Sequence, residues 1–312
     1  MSSTVTARLI SLTGGLYTAD TGTELIKCRA RGLFRHGGTS PLVGDIATIQ
    51  SAENEHSVIT ELHERKNALK RPPAANLDML FIVIAAAEPQ PSEVTCDKLI
   101  AIAEHNEIEP VIVVTKSELD ENFSQKIISG YKQCGFEAFG VSSYTNAGIE
   151  ALGAYIKTAC RDKISAFSGI SGTGKSTLLN TLFPSLDLET GEVSRKTSHG
   201  KNTTRRTSLF RLSELIGDGS AHGYFADTPG FSMLDFIGED FLNKEDLPFA
   251  FREFACHLTK CRYTKCTHTK EDGCSIIEAV KKGEIPRSRH DSYLAIYGDL
   301  KNKNEWDTKD KN

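Results

Sequence analysis

The stretch FSGISGTGKSTLLN, residues 167–180, sets Gly169 and Gly174 either side of four residues and follows them with Lys175 and Ser176. Glycines at these points let the backbone curl so that its N–H groups face a phosphate chain. Lys175 would reach the β and γ phosphates, and the Ser176 hydroxyl would ligate Mg²⁺. Ile170, Ser171, Gly172 and Thr173 complete the loop, and Thr177 stands beside it at the start of the helix. KISAFSGI before the loop is apolar enough for a buried strand, and STLLNTLF after it is a helix start. Strand, loop and helix together place an anion at the positive end of a helix. A nucleoside triphosphate is the expected ligand.

The loop sits late in a chain of 312 residues, a length that predicts two or three domains. Hydrophobic residues at 39% and charged residues at 25% are those of an ordinary soluble globular protein. The longest apolar run, MLFIVIAAA, is strand-sized, and MSSTVTARLI carries no secretory core, so a cytoplasmic protein with no membrane partner is expected. A net charge of −4 excludes a globally basic coat, yet the segment from Arg195 to Arg211 holds six Lys/Arg and no carboxylate. KKGEIPRSRH is a second basic run.

Three sections follow from the patterning. Residues 1–68 contain short strand-like runs, VTARLIS, TELIKCRARG, LVGDIATIQ and HSVITELHE, between turn residues, which fits a small β-barrel of the OB type. Arg29, Arg31, Arg35 and His36 flank one of its turns and suggest a nucleic-acid face. Residues 69–235 alternate strand and helix, the signature of a parallel sheet covered on both faces. Residues 236–312 place apolar and aromatic residues at helical spacing in FLNKEDLPFAFREFACHL, then a cysteine cluster, then a polar tail expected to fray.

In such a sheet the ligand sits at the carboxyl ends of the strands. After PVIVV come Thr115, Lys116, Ser117 and Glu118, which resemble the N-K-x-D motif of guanine-specific GTPases with Thr for Asn and Glu for Asp. A carboxylate there accepts from the guanine N1 and N2 donors. VSS, Val141 to Ser143, is the candidate second base loop, with Ser142 and Ser143 against the base. GYFADTPGF puts Asp227 at another strand end, where it would hold Mg²⁺ through water, and Gly230 where its N–H would sense the γ phosphate. Between these motifs, SHGKNTTRRTSLFRL suits a mobile loop. Thr204 is the candidate magnesium ligand there, with Thr203 as the fallback. The base loops precede the phosphate loop, the reverse of the usual order, and a circular permutation of one sheet accounts for it.

Cys261, Cys266, His268 and Cys274 form a C-x4-C-x-H-x5-C array. Three thiolates and one imidazole make a closed tetrahedral shell, predicting one structural zinc. Cys256 is assigned to the aromatic helix as core, and Cys28, Cys96, Cys134 and Cys160 to packing.

Together CRARGLFR, PLVGD, RKNALKRPPAANLD, GISGTGKSTLLN, DTPGF and CRYTKCTHTKEDGC resemble the RsgA/YjeQ family of circularly permuted GTPases over nearly the whole chain. The resemblance implies an OB-fold barrel, a permuted GTPase domain and a zinc-bearing helical domain. It also implies GTP hydrolysis late in maturation of the 30S ribosomal subunit, stimulated by that subunit; 16S rRNA is the expected contact, and the chain is expected to act as a monomer. Many members carry a His before the mobile-loop threonines, and here that place is Asn202. Phe231 follows DTPG where Ras-like enzymes place a water-orienting Gln. Unassisted turnover is therefore expected on the order of 10⁻³ per second or below. Two other readings compete. One is an RNA-binding assembly checkpoint in which nucleotide acts as a switch with little hydrolysis. The other, from GTGKST alone, is an ABC-type or kinase ATPase, opposed by the absence of L-S-G-G-Q and by DTPG with TKSE.

Overall fold

A computed structural model describes residues 3–32, 34, 40–51, 56–70, 73–183, 185, 207–227 and 242–309. The first five strands are β1 (Thr4–Thr13), β2 (Leu16–Asp20), β3 (Leu25–Ala30), β4 (Ile46–Gln50) and β5 (Ser57–Leu62). They pair in the order β1-β2-β3-β5-β4, and β4 returns to pair with β1, which closes, with five strands, the small barrel expected from the sequence. Alternation puts Ala7, Leu9, Ala19, Cys28, Ala47, Ile49 and Ile59 inside it. A short hairpin, β6 (Ala68–Lys70) with β7 (Pro73–Ala75), leads out of the barrel.

The α/β section follows as β8 (Met79–Ala85), α1 (Glu93–His105), β9 (Glu109–Thr115), α2 (Glu121–Gln133), β10 (Glu137–Gly140) and α3 (Ile149–Ala159). It continues with β11 (Ile164–Gly169), α4 (Lys175–Leu182), β12 (Ser208–Arg211), α5 (Leu212–Ile216) and β13 (Tyr224–Asp227). Side-chain caps start two of the helices: Ser92 accepts from the Thr95 amide and Asp120 from the Phe123 amide. All seven residues of β8 are buried, as a central strand covered on both faces requires. The strand order is β10-β9-β8-β11-β13-β12, parallel except for β12. Chain-earlier strands thus lie on one side of the phosphate-loop strand β11 and chain-later ones on the other. That is how a permuted sheet places a late loop at its centre.

The barrel and this sheet are continuous, because β1 pairs antiparallel with β12 at Ser11 and Ser208. Across that seam Arg211 donates twice to Asp20, at 2.6 and 2.5 Å, and the Tyr224 hydroxyl donates to the same carboxylate at 3.0 Å.

The C-terminal section differs from its expected helical pattern. From Leu242 onward, FLNKEDLPFAFREFACHL and the two residues after it form three 3-10 turns, Leu247–Ala250, Arg252–Phe254 and Leu258–Lys260. Pro248 opens the first, and Phe251 is extended between the first and second, so no α-helix can propagate. Leu247, Phe251 and Phe254 still form a core with Ile276 of α6 (Ser275–Lys281), Tyr293 of α7 (Arg287–Lys309) and Ile285 from the turn between those helices. The polar tail continues α7 as helix as far as Lys309. Arg252 fastens this section to the sheet layer: it pairs with Glu104 and Glu109, donates to the Gly135 carbonyl at 3.0 Å, and lies 4.2 Å from the Phe136 ring centroid.

Candidate functional site

Parallel pairing brings the carboxyl ends of four strands to one rim. Gly169 is opposite Val83, Thr115 opposite Ala85, and Gly140 opposite Val114. The phosphate-loop residues and the two candidate base loops are therefore neighbours, although they lie far apart in the chain.

Gly169 ends β11 so close to β8 that a Cβ there would lie 2.6 Å from the Val83 carbonyl oxygen. The loop then closes on itself, with the Thr173 hydroxyl donating to the Ile170 carbonyl at 2.9 Å. Gly174 caps α4 at φ 84°, a left-handed conformation that suits glycine. Lys175, Ser176 and Thr177 form the first turn of α4, whose leading amides have no partner within the helix. Ser171 and Gly172 are exposed at the tip, while Thr173 is buried.

Thr115 supplies a connection the sequence did not reveal. Its hydroxyl donates to the Thr173 carbonyl at 2.5 Å and lies 3.3 Å from the Ile84 carbonyl, joining the candidate base loop to the candidate phosphate loop. Lys116, at φ 53°, donates from Nζ to the Glu88 carbonyl at 2.5 Å, and its Cε passes within 3.8 Å of where a Cβ on Gly174 would stand. The Ser117 amide donates to Val141, locking the first base loop to the second. Glu118 Oε2 is buried and has no hydrogen-bond partner among the described residues. An orphaned buried carboxylate oxygen is what a donor-bearing ligand would satisfy. In the second loop Ser142 is buried, its amide bonded to the Ala147 carbonyl and its Oγ accepting from the Thr145 amide. Ser143 follows it, partly exposed.

Asp227 ends β13, the strand parallel to β11, and so lies at the same edge of the sheet as the phosphate loop. Thr203, Thr204 and Gly230 lie outside the described residues, as do Arg35, His36, Asn202 and Phe231.

Away from that rim, Cys261, Cys266, His268 and Cys274 bring one ligand atom each to within 4.8 Å of one another. His268 Nδ1 is 3.5 Å from both Cys261 Sγ and Cys274 Sγ. Ligands of a tetrahedral ion held by thiolates stand about 3.8 Å apart, so the cluster has the size of a filled shell. Burial holds the His268 imidazole below its usual range, in the neutral form that ligates, and pushes the Cys266 thiol up to about 12. The loop is braced from outside. The His268 carbonyl is 2.8 Å from His290 Nε2, Tyr293 donates to the Thr267 carbonyl, and Ser275 donates to the His257 carbonyl. Cys28, Cys96, Cys134 and Cys160 are buried as expected. Cys256 is exposed and not core: it lies in the turn between two 3-10 segments and not on the buried face of a helix.

Two family descriptions match: RsgA N-terminal domain over residues 7–59 and RsgA GTPase over residues 62–237. Among curated proteins, the small ribosomal subunit biogenesis GTPase RsgA of Caldanaerobacter subterraneus subsp. tengcongensis is 39% identical, over 96% of this chain and 97% of its own. That of Bacillus pumilus is 36% identical, over 94% and 96%. Among solved structures, YjeQ from Thermotoga maritima superposes with a TM-score of 0.79 at 30% identity, covering 96% of this chain and 99% of the other. YloQ, described as a circularly permuted GTPase, gives 0.76 at 28% identity with 96% of each chain covered.

Proposed function

The chain belongs to the RsgA family of GTPases, and from that premise we propose that it binds GTP at the β8–β9–β10–β11 rim and hydrolyses it on the small ribosomal subunit during late maturation. One observation carries the assignment of the site. Thr115 bonds to Thr173, 58 residues away, and thereby joins a base loop with an orphaned carboxylate to a phosphate loop. An ATPase reading leaves that carboxylate only the N6 donor of adenine, whereas the Watson–Crick edge of guanine carries donors at both N1 and N2.

In this reading Gly169 to Gly174 wrap the phosphates, Lys175 neutralises charge on the β and γ groups, and Lys116 packs its stem against the base. Glu118 accepts from the base, and Ser142 and Ser143 stand at its other edge. Ser176, with Thr204 and Asp227 in support, would hold Mg²⁺, which supplies charge neutralisation for phosphoryl transfer. Thr203 is the alternative to Thr204, and the Gly230 amide would report the γ phosphate.

The domains are drawn at 1–68 for the RNA-binding barrel, 69–235 for the GTPase and 236–312 for the C-terminal part. Cys261, Cys266, His268 and Cys274 would hold one structural zinc, a closed shell that stabilises a small core. The exposed Lys27, Arg29 and Arg31 on the barrel supply electrostatic contacts to 16S rRNA, which weaken as salt rises. Among the described residues no helix is long and apolar enough to cross a membrane; in this reading the chain acts as a cytoplasmic monomer. GTP turnover by the full chain, with and without 30S subunits and with Lys175→Ala as the blank, tests this reading.

A further inference from the structure

Resting on the guanine-nucleotide reading of the rim, we propose that Thr115 is a positioning clamp on the phosphate loop that gives no hydrogen bond to the base. The guanine N7 then goes unread at this position, and selection of the base falls on the Glu118 carboxylate.

Proton supply decides the role of Thr115. A threonine hydroxyl has one proton to give. Thr115 is 4% exposed, and both oxygens beside its Oγ1 are carbonyls: Thr173 at 2.5 Å and Ile84 at 3.3 Å. Carbonyls only accept, so the proton is committed to the protein and none is left for an acceptor on the base. Guanine presents acceptors at N7 and O6 and donors at N1 and N2. Glu118 Oε2, buried and unpartnered, can meet the donors only.

The clamp has a definite effect on the phosphate side. A peptide unit is planar and trans, so its C=O and N–H point in opposite directions. Holding the Thr173 carbonyl toward Thr115 turns the Gly174 N–H away from Thr115. Gly174, at φ 84°, has the backbone freedom to accept that orientation. Removing the hydroxyl therefore frees the peptide between Thr173 and Gly174, the residue that caps α4. The resulting loss of affinity should not depend on the base.

Equilibrium binding to the full chain of GDP, 7-deaza-GDP (no N7 acceptor) and IDP (no N2 donor) tests this. The unmodified chain should bind 7-deaza-GDP within about twofold of GDP, and IDP roughly tenfold more weakly, the cost of an unpaired buried acceptor. Thr115→Val should weaken GDP and 7-deaza-GDP by the same factor, roughly tenfold, and Thr115→Ser should restore both. A tenfold preference for GDP over 7-deaza-GDP in the unmodified chain would overturn the inference. So would a Val variant that weakens GDP alone, or IDP binding as tightly as GDP. The comparison on the unmodified chain stands even if the Val variant does not fold. If neither guanine nucleotide binds, the site assignment itself is wrong and the clamp falls with it.

Discussion

Arg289 and Asp97 meet at 2.5 Å across the joint between α7 and α1, their side chains 2% and 1% exposed. Glu253 takes a second fork of the guanidinium at 2.7 and 3.2 Å, Tyr131 donates to Asp97 at 2.8 Å, and Phe251 lies 4.4 Å from the cation. Burial alone would lower the guanidinium, but the two carboxylates outweigh it and hold Arg289 well above its ordinary range. Removing one member strands buried charge. Arg289→Met should lower the unfolding free energy by roughly 3–5 kcal/mol, seen as a drop in the urea midpoint. Arg289→Lys should recover little, because an ammonium has no planar fork for two carboxylates. A Met variant within about 1 kcal/mol of the parent would show that other contacts hold the joint.

The barrel seam should respond to acid. Burial would raise the Asp20 carboxyl, yet Arg211, the Gly22 amide and Tyr224 together hold it below its ordinary 3.8. A carboxylate depressed in the folded state stabilises fully above the unfolded value and loses that contribution as pH falls through the folded one. The stability gap between the parent and Asp20→Asn should thus be widest near neutrality and narrow progressively below about pH 4. Denaturation series at several pH values measure it. A gap that does not narrow in acid would contradict the assignment.

Zinc content is directly countable. Elemental analysis should find one zinc per chain, and Cys274→Ser should lose it. Chelation should then speed hydrogen exchange in residues 242–301, where the shell and the Phe251–Phe254–Tyr293 core are continuous. Exchange should change far less in the barrel. Unchanged protection after complete metal removal would show that this core needs no metal.

Gly169→Ala tests the close approach of β11 and β8. The added Cβ would stand 2.6 Å from the Val83 carbonyl oxygen and 3.0 Å from the Val83 Cβ, so a strand must move. GDP affinity should fall at least about tenfold, since the loop starts at that residue. Isothermal titration reads the effect, and an unchanged affinity would remove Gly169 from the phosphate site.

Much of the site was legible because its residues are local in sequence. The glycine spacing, the strand before it and the four zinc-type ligands each fall within about a dozen residues, where spacing alone constrains geometry. The joints were not legible. Asp20 with Arg211, and Asp97 with Arg289, lie about 190 residues apart, and a buried ion pair has no pattern along the chain. Thr115 was seen as a departure from N-K-x-D, but its clamp on Thr173 appears only once β9 and β11 share a rim. The C-terminal aromatics illustrate a different failure. Their spacing predicted burial correctly for Phe251 and Phe254, while Pro248 and an extended Phe251 replaced the α-helix with 3-10 turns and turned Cys256 outward.

The most direct test is GTP turnover by the full chain titrated with purified 30S subunits, with Lys175→Ala in parallel. The account predicts slow unassisted hydrolysis, on the order of 10⁻³ per second or below. It further predicts a saturable rise of at least about tenfold with 30S and no rise in the Lys175→Ala chain. Turnover that stays flat across a saturating titration, with GTP bound throughout, would contradict it and favour a nucleotide-gated RNA-binding checkpoint.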